Sequence, residues 1–120
     1  MTISCSELVV KMREEPGLIL VDAMTPEQYE RSHLPGALNI PFSVAADVAE
    51  KMLPVKEAHI VVYCSNEACW MSSEIAALLK SRGYSYIWEL NGGKKEWVPA
   101  GLPINGTSPL ARKRSQQCYP

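Results

Sequence analysis

The residue with the most chemistry to offer in this chain is a cysteine. Cys64 follows the apolar run His59-Ile-Val-Val-Tyr63 and opens the loop Cys64-Ser-Asn-Glu-Ala-Cys69-Trp-Met-Ser-Ser73, after which an amphipathic helical pattern begins. A thiol at the carboxyl end of a buried parallel strand faces the crevice where open α/β sheets bind ligands. The helix that follows directs unpaired N–H groups and the positive end of its dipole toward that crevice, and both favour thiolate over thiol. Cys64 is therefore the candidate nucleophile. Ser65, Asn66, Glu67, Ala68, Cys69 and Trp70 form the candidate substrate-binding loop, whose backbone N–H groups are donors for an anion on sulfur. Cys69 is also a candidate resolving thiol, close enough in sequence to attack an oxidised or sulfur-loaded Cys64.

Holding a thiol in that position requires a sheet, and the periodicities supply one. Ser4-Cys-Ser-Glu7 reads as a capping box that starts a helix running to about Glu15, before Pro16-Gly17. Leu18 to Val21 is a buried strand ending at Asp22, and Thr25-Pro26 starts a short helix to Arg31. Ala37 to Ile40 is a short strand, Ser43 to Leu53 a helix, 59–63 a strand and about Ser72 to Ser81 a helix. Tyr86 to Leu90 is a further strand, and a short helix through Trp97 follows Asn91-Gly-Gly93. Strands alternating with helices at this spacing predict an α/β protein with a parallel-rich sheet covered on both faces.

Composition limits the function classes. A length of 120 residues suits one domain with its own hydrophobic core. The net charge of -1 gives no electrostatic footprint for nucleic acid, and no apolar run reaches the roughly 20 residues of a membrane span. The N-terminus has no basic start followed by an apolar stretch, so the expected location is cytoplasmic. In that reducing compartment Cys5, Cys64, Cys69 and Cys118 read as thiols rather than a disulfide framework. Their spacing with His33 and His59 makes no metal site, and no cofactor is implied. His33 reads as a turn histidine bonded to backbone, Asp22 as an acceptor at a strand end, Glu27 as a surface residue and Trp97 as core. Residues 105–120, with Arg112-Lys113-Arg114, are expected to form a poorly ordered basic tail after a domain spanning 1–104.

Several motifs stand in a definite order: Leu20-Val-Asp22 with Glu27 and Tyr29; His33-Leu-Pro-Gly-Ala37 with Asn39 and Pro41; Val62-Tyr-Cys64; Gly83-Tyr84; and Gly92-Gly93 with Trp97, Gly101 and Pro103. In this order they resemble the rhodanese (sulfurtransferase) family over roughly residues 3–104. The resemblance implies a three-layer fold, with a central, mostly parallel five-stranded sheet and helices on both faces. It also implies that Cys64 carries a sulfane sulfur as a persulfide, taken from a donor such as thiosulfate or polysulfide and passed to a thiol or cyanide acceptor. A protein could serve as donor or acceptor.

The sequence also departs from the family pattern. Its cysteine loop contains no cation and no glycine, carries Glu67, and is longer than the common form. Asp22-Ala-Met24 stands where members often have Asp-x-Arg. Glu67 would repel a dianionic donor, so turnover of thiosulfate is expected to be weak. The alternative reading is a non-enzymatic sulfur carrier or a thiol-disulfide regulatory module using Cys64 and Cys69. Phosphatases and arsenate reductases on the same fold place an arginine at the far end of this loop, where this sequence has none.

Overall fold

The computed structural model describes residues 1–65 and 70–114. Five strands, β1 (Thr2–Ile3), β2 (Ile19–Asp22), β3 (Leu38–Asn39), β4 (His59–Tyr63) and β5 (Tyr86–Leu90), alternate with helices. The helices are α1 (Cys5–Glu14), α2 (Pro26–Arg31), α3 (Ala45–Met52), α4 (Met71–Ser81), α5 (Gly93–Trp97) and α6 (Pro109–Arg114). The strands form one sheet in the order β1-β5-β4-β2-β3, and every pair is parallel.

Helix starts follow from local chemistry. Ser4 Oγ accepts from the Glu7 amide (3.1 Å) while Glu7 Oε1 accepts from the Ser4 amide (3.0 Å), which completes the capping box. Thr25 caps α2, and Pro26 follows it with its φ already suited to a helix. The expected helix over 43–53 is divided: Phe42–Val44 form a 3₁₀ turn, and α3 proper begins at Ala45.

Alternation along β4 divides the core in two. Ile60 and Val62 pack with Ala45, Ala49, Ile75 and Leu79 from α3 and α4. Val61 and Tyr63 face the opposite way, toward Leu8, Trp97, Ile104 and Ala111. Helices therefore cover both faces, as parallel sheets require. Trp97 is fully buried, and its indole N–H donates to the Pro103 carbonyl (2.8 Å).

Two features go beyond the sequence reading. β1 is a strand of two residues before α1, paired with β5 through Thr2↔Glu89 and Ile3↔Leu90. The second is the docking of residues 105–112, a stretch read from sequence as part of the tail. Asn105 exchanges two backbone hydrogen bonds with His33, and the Thr107 and Ser108 amides donate to the Glu30 and Arg31 carbonyls (2.9 and 3.1 Å). Those carbonyls end α2 and have no partner within the helix, so the segment satisfies groups that would otherwise need water. Ser108 Oγ then accepts from the Ala111 amide, and Ala111 is fully buried.

Gly106 makes this docking possible. Its φ is +138°, and a Cβ there would lie 2.4 Å from the Arg31 carbonyl oxygen. Gly106→Ala is expected to cost about 1–3 kcal/mol, read as a lower urea midpoint, and to speed proteolysis beyond residue 104. Unchanged stability and protection would show that the segment contributes nothing to the fold.

Candidate functional site

The chain leaves β2 toward β3 on one side and leaves β4 toward β5 on the other, so the carboxyl ends of β2 and β4 form the point where the strand order reverses. Open parallel sheets bind ligands at such a point. The register pairs Asp22 with Tyr63, the last residues of β2 and β4, and Cys64 follows one residue past the end of β4.

A buried polar network underlies this edge. The Tyr63 hydroxyl donates to Asp22 Oδ2 (2.8 Å) and accepts from the Leu34 amide (2.9 Å), while Asp22 Oδ1 accepts from the Met24 amide (2.8 Å). The Asn39 side-chain amide donates to the Asp22 and Met24 carbonyls. Burial raises the Asp22 carboxyl above its ordinary pKa, against the opposing pull of Lys94 and its hydrogen-bond donors. Burial also pushes the Tyr63 phenol well up, and the Asp22 charge adds to that shift.

Lys94 ties the network to the cysteine. Gly92 and Gly93 both have positive φ and turn the chain sharply out of β5 into α5. That turn lets the Lys94 amide donate to the Cys64 carbonyl (3.1 Å) and the Lys95 amide to the Ser65 carbonyl (2.8 Å). The Lys94 ammonium donates to the Ser32 carbonyl (2.9 Å) and lies 3.9 Å from Asp22 Oδ2, with only 13% of its side chain exposed. Its pKa is lowered by burial, an effect that Asp22 opposes and Arg31 reinforces.

Cys64 is 1% exposed and disulfide-bonded, which corrects the expectation that it stands as a thiol. Ser65 is half-buried. Asn66, Glu67, Ala68 and Cys69 lie outside the described residues. Trp70 is 59% exposed, and its ring meets Phe42 edge-on with centroids 4.7 Å apart, forming an aromatic rim where the loop enters α4. α4 has no side-chain cap on its first turn, unlike α1 and α2.

Beside Ser65 a cleft of about 350 Å³ opens between α2, α5 and the docked C-terminal segment, with Arg31, Lys94, Val98, Ile104 and Leu110 among its walls. The cations absent from the cysteine loop thus come from other elements. Sequence reading missed Lys94 and Arg31. The signal for Lys94 was its place just after Gly92-Gly93, at the carboxyl end of the strand next to β4. Other residues stand as read: His33 Nδ1 is 2.6 Å from the Tyr29 carbonyl with its ring stacked on Tyr29, and Glu27 is exposed.

A family model described as the rhodanese-like domain matches residues 6–100. The chain belongs to the rhodanese-like domain family. A rhodanese-like domain from Anabaena, solved in solution, superposes with a TM-score of 0.79 at 25% identity, covering 99% of this chain and 86% of that one. A sulfurtransferase of Allochromatium vinosum is 29% identical over 102 residues, 85% of this chain and 92% of its own length. An HTH-type transcriptional regulator of Mycobacterium tuberculosis is 31% identical over 102 residues, and this rhodanese-like chain spans 44% of its length.

Asp22 titrates in a way that can be checked. Because the folded state raises its pKa, its contribution to stability is complete below the ordinary value of 3.8 and is lost as pH rises through the elevated folded value. Tyr63→Phe removes a donor to the carboxylate and leaves the Leu34 amide without its acceptor, at a cost of about 1–3 kcal/mol near neutral pH. The difference from wild type should shrink as pH falls and Asp22 takes up its proton, as measured by urea denaturation at several pH values. A difference independent of pH would separate Tyr63 from the ionisation of Asp22.

Proposed function

We propose that this chain is a sulfurtransferase in which reduced Cys64 is the nucleophile and persulfide carrier. The observation that carries this reading is the position of Cys64 at the carboxyl end of the central strand, where the strand order reverses, leading into the uncapped first turn of α4. The A. vinosum sulfurtransferase, matched over nearly its full length, supports the same activity class.

The cycle has two displacements. The Cys64 thiolate attacks the outer sulfur of a donor, the donor's S–S bond breaks, and the leaving group departs with the electron pair. The Cys64 persulfide then gives its terminal sulfur to cyanide or a thiol, and the thiolate is regenerated. Backbone N–H groups from Ser65 to Trp70 and the first turn of α4 stabilise the anion on sulfur. A reducing cytoplasm would keep Cys64 available for this chemistry. With Glu67 and no cation in the loop, thiosulfate is a slow donor and a polysulfide a better one.

A second reading, thiol-disulfide regulation through Cys64 with Cys69 as the resolving thiol, is favoured by the disulfide at Cys64.

The test is intact-mass analysis of reduced protein treated with thiosulfate or polysulfide, with thiocyanate formation followed in the presence of cyanide. The expected result is a gain of about 32 Da, one sulfur atom, that Cys64→Ser abolishes, with ping-pong kinetics and faster loading from polysulfide. No adduct from either donor would overturn the sulfurtransferase reading and leave the regulatory one. In that case Cys69→Ser should abolish a reversible, peroxide-induced loss of two thiols.

A further inference from the structure

The cleft beside Ser65 has a character that a site for a bare inorganic ion would not need. Its volume of about 350 Å³ falls in the range of pockets that hold small organic molecules. Val98, Ile104 and Leu110 give it an apolar side, while Arg31 and Lys94 give it a cationic one. Inorganic thiosulfate has no apolar surface to set against the first group.

The charge balance favours an anion. Lys94 has Asp22 beside it, at 3.9 Å, and one of its protons is committed to the Ser32 carbonyl. The exposed Arg31 lies close enough for its charge to act on the Lys94 ammonium. Bringing a carboxylate into the cleft would pair with Arg31 and relieve the repulsion between the two cations.

The cleft also adjoins the reacting residue through the backbone. Ser65 lines it and follows Cys64 directly, and Lys94, which also lines it, holds the Cys64 carbonyl through its own amide. One wall, formed by Ile104, Ser108 and Leu110, lies beyond the segment matched by the family model, so the cleft is not a feature of the shared motif alone.

We infer that this cleft is a binding site for the carboxylate-bearing organic body of a persulfide donor, with Arg31 as the specificity-determining residue. The inference rests on the sulfurtransferase reading. The step is R–S–S⁻ plus Cys64 thiolate giving R–S⁻ plus the Cys64 persulfide: the donor's S–S bond breaks, a new one forms at Cys64 Sγ, and the electron pair leaves on R–S⁻. No oxidant is consumed.

Two donors that differ by a single charge test it: the persulfides of N-acetylcysteine and of its neutral amide. Loading of reduced full-length protein is followed by intact mass, and kcat/KM is measured with cyanide as acceptor. Wild type should prefer the carboxylate donor by about fivefold, the scale of one partly exposed ion pair. Arg31→Gln, and Leu110→Glu at an exposed wall position, should each bring the ratio of the two kcat/KM values close to one. Equal use of the two donors by wild type, or a preference retained in either variant, overturns the inference while leaving the sulfurtransferase reading intact. Loading from neither donor overturns both.

Discussion

The contact between the carboxyl ends of β2 and β4 is the constraint on which the site depends. Parallel pairing sets Asp22 opposite Tyr63, and the Tyr63 hydroxyl then fixes both the Asp22 carboxylate and the Leu34 amide. An ionisable group buried this completely is costly unless its lone pairs are filled, and here each carboxylate oxygen has a donor. The network therefore fixes where β4 ends, and Cys64 comes next.

Lys94 connects this foundation to the start of the cysteine loop. Its side chain belongs to the Asp22 layer and its amide to Cys64. Electrostatics at this edge are thus distributed over α2, α5 and the cysteine loop. Positive charge near Ser65 comes from Arg31 and Lys94, outside the cysteine loop.

Much of this was legible in the sequence, for identifiable reasons. Helices α1 and α2 announce themselves through Ser4, Glu7, Thr25 and Pro26, and strands β2, β4 and β5 through apolar runs bounded by turn residues. The place of Cys64 was legible because a cysteine at a strand-to-loop boundary is a local signal, and the structure sets it just past the end of β4. β1 was not, because two residues carry no periodicity and its existence depends on β5, far along the chain. The docking of residues 105–112 was hidden for a similar reason: it answers the unpaired carbonyls of α2, a tertiary demand with no local pattern. From sequence Arg31 is only the last residue of a short helix, and the return of the C-terminal segment places it in a cleft.

The pairing of the first strand with the last sets an order on synthesis. Among the described strands β1 comes before the other four in the chain, yet its partner, β5, follows roughly ninety residues later. Until then β1 has no ladder to join, and the apolar side chains of α1 have only part of their core. Completion of the sheet therefore waits for β5, the strand that brings β1 into the ladder.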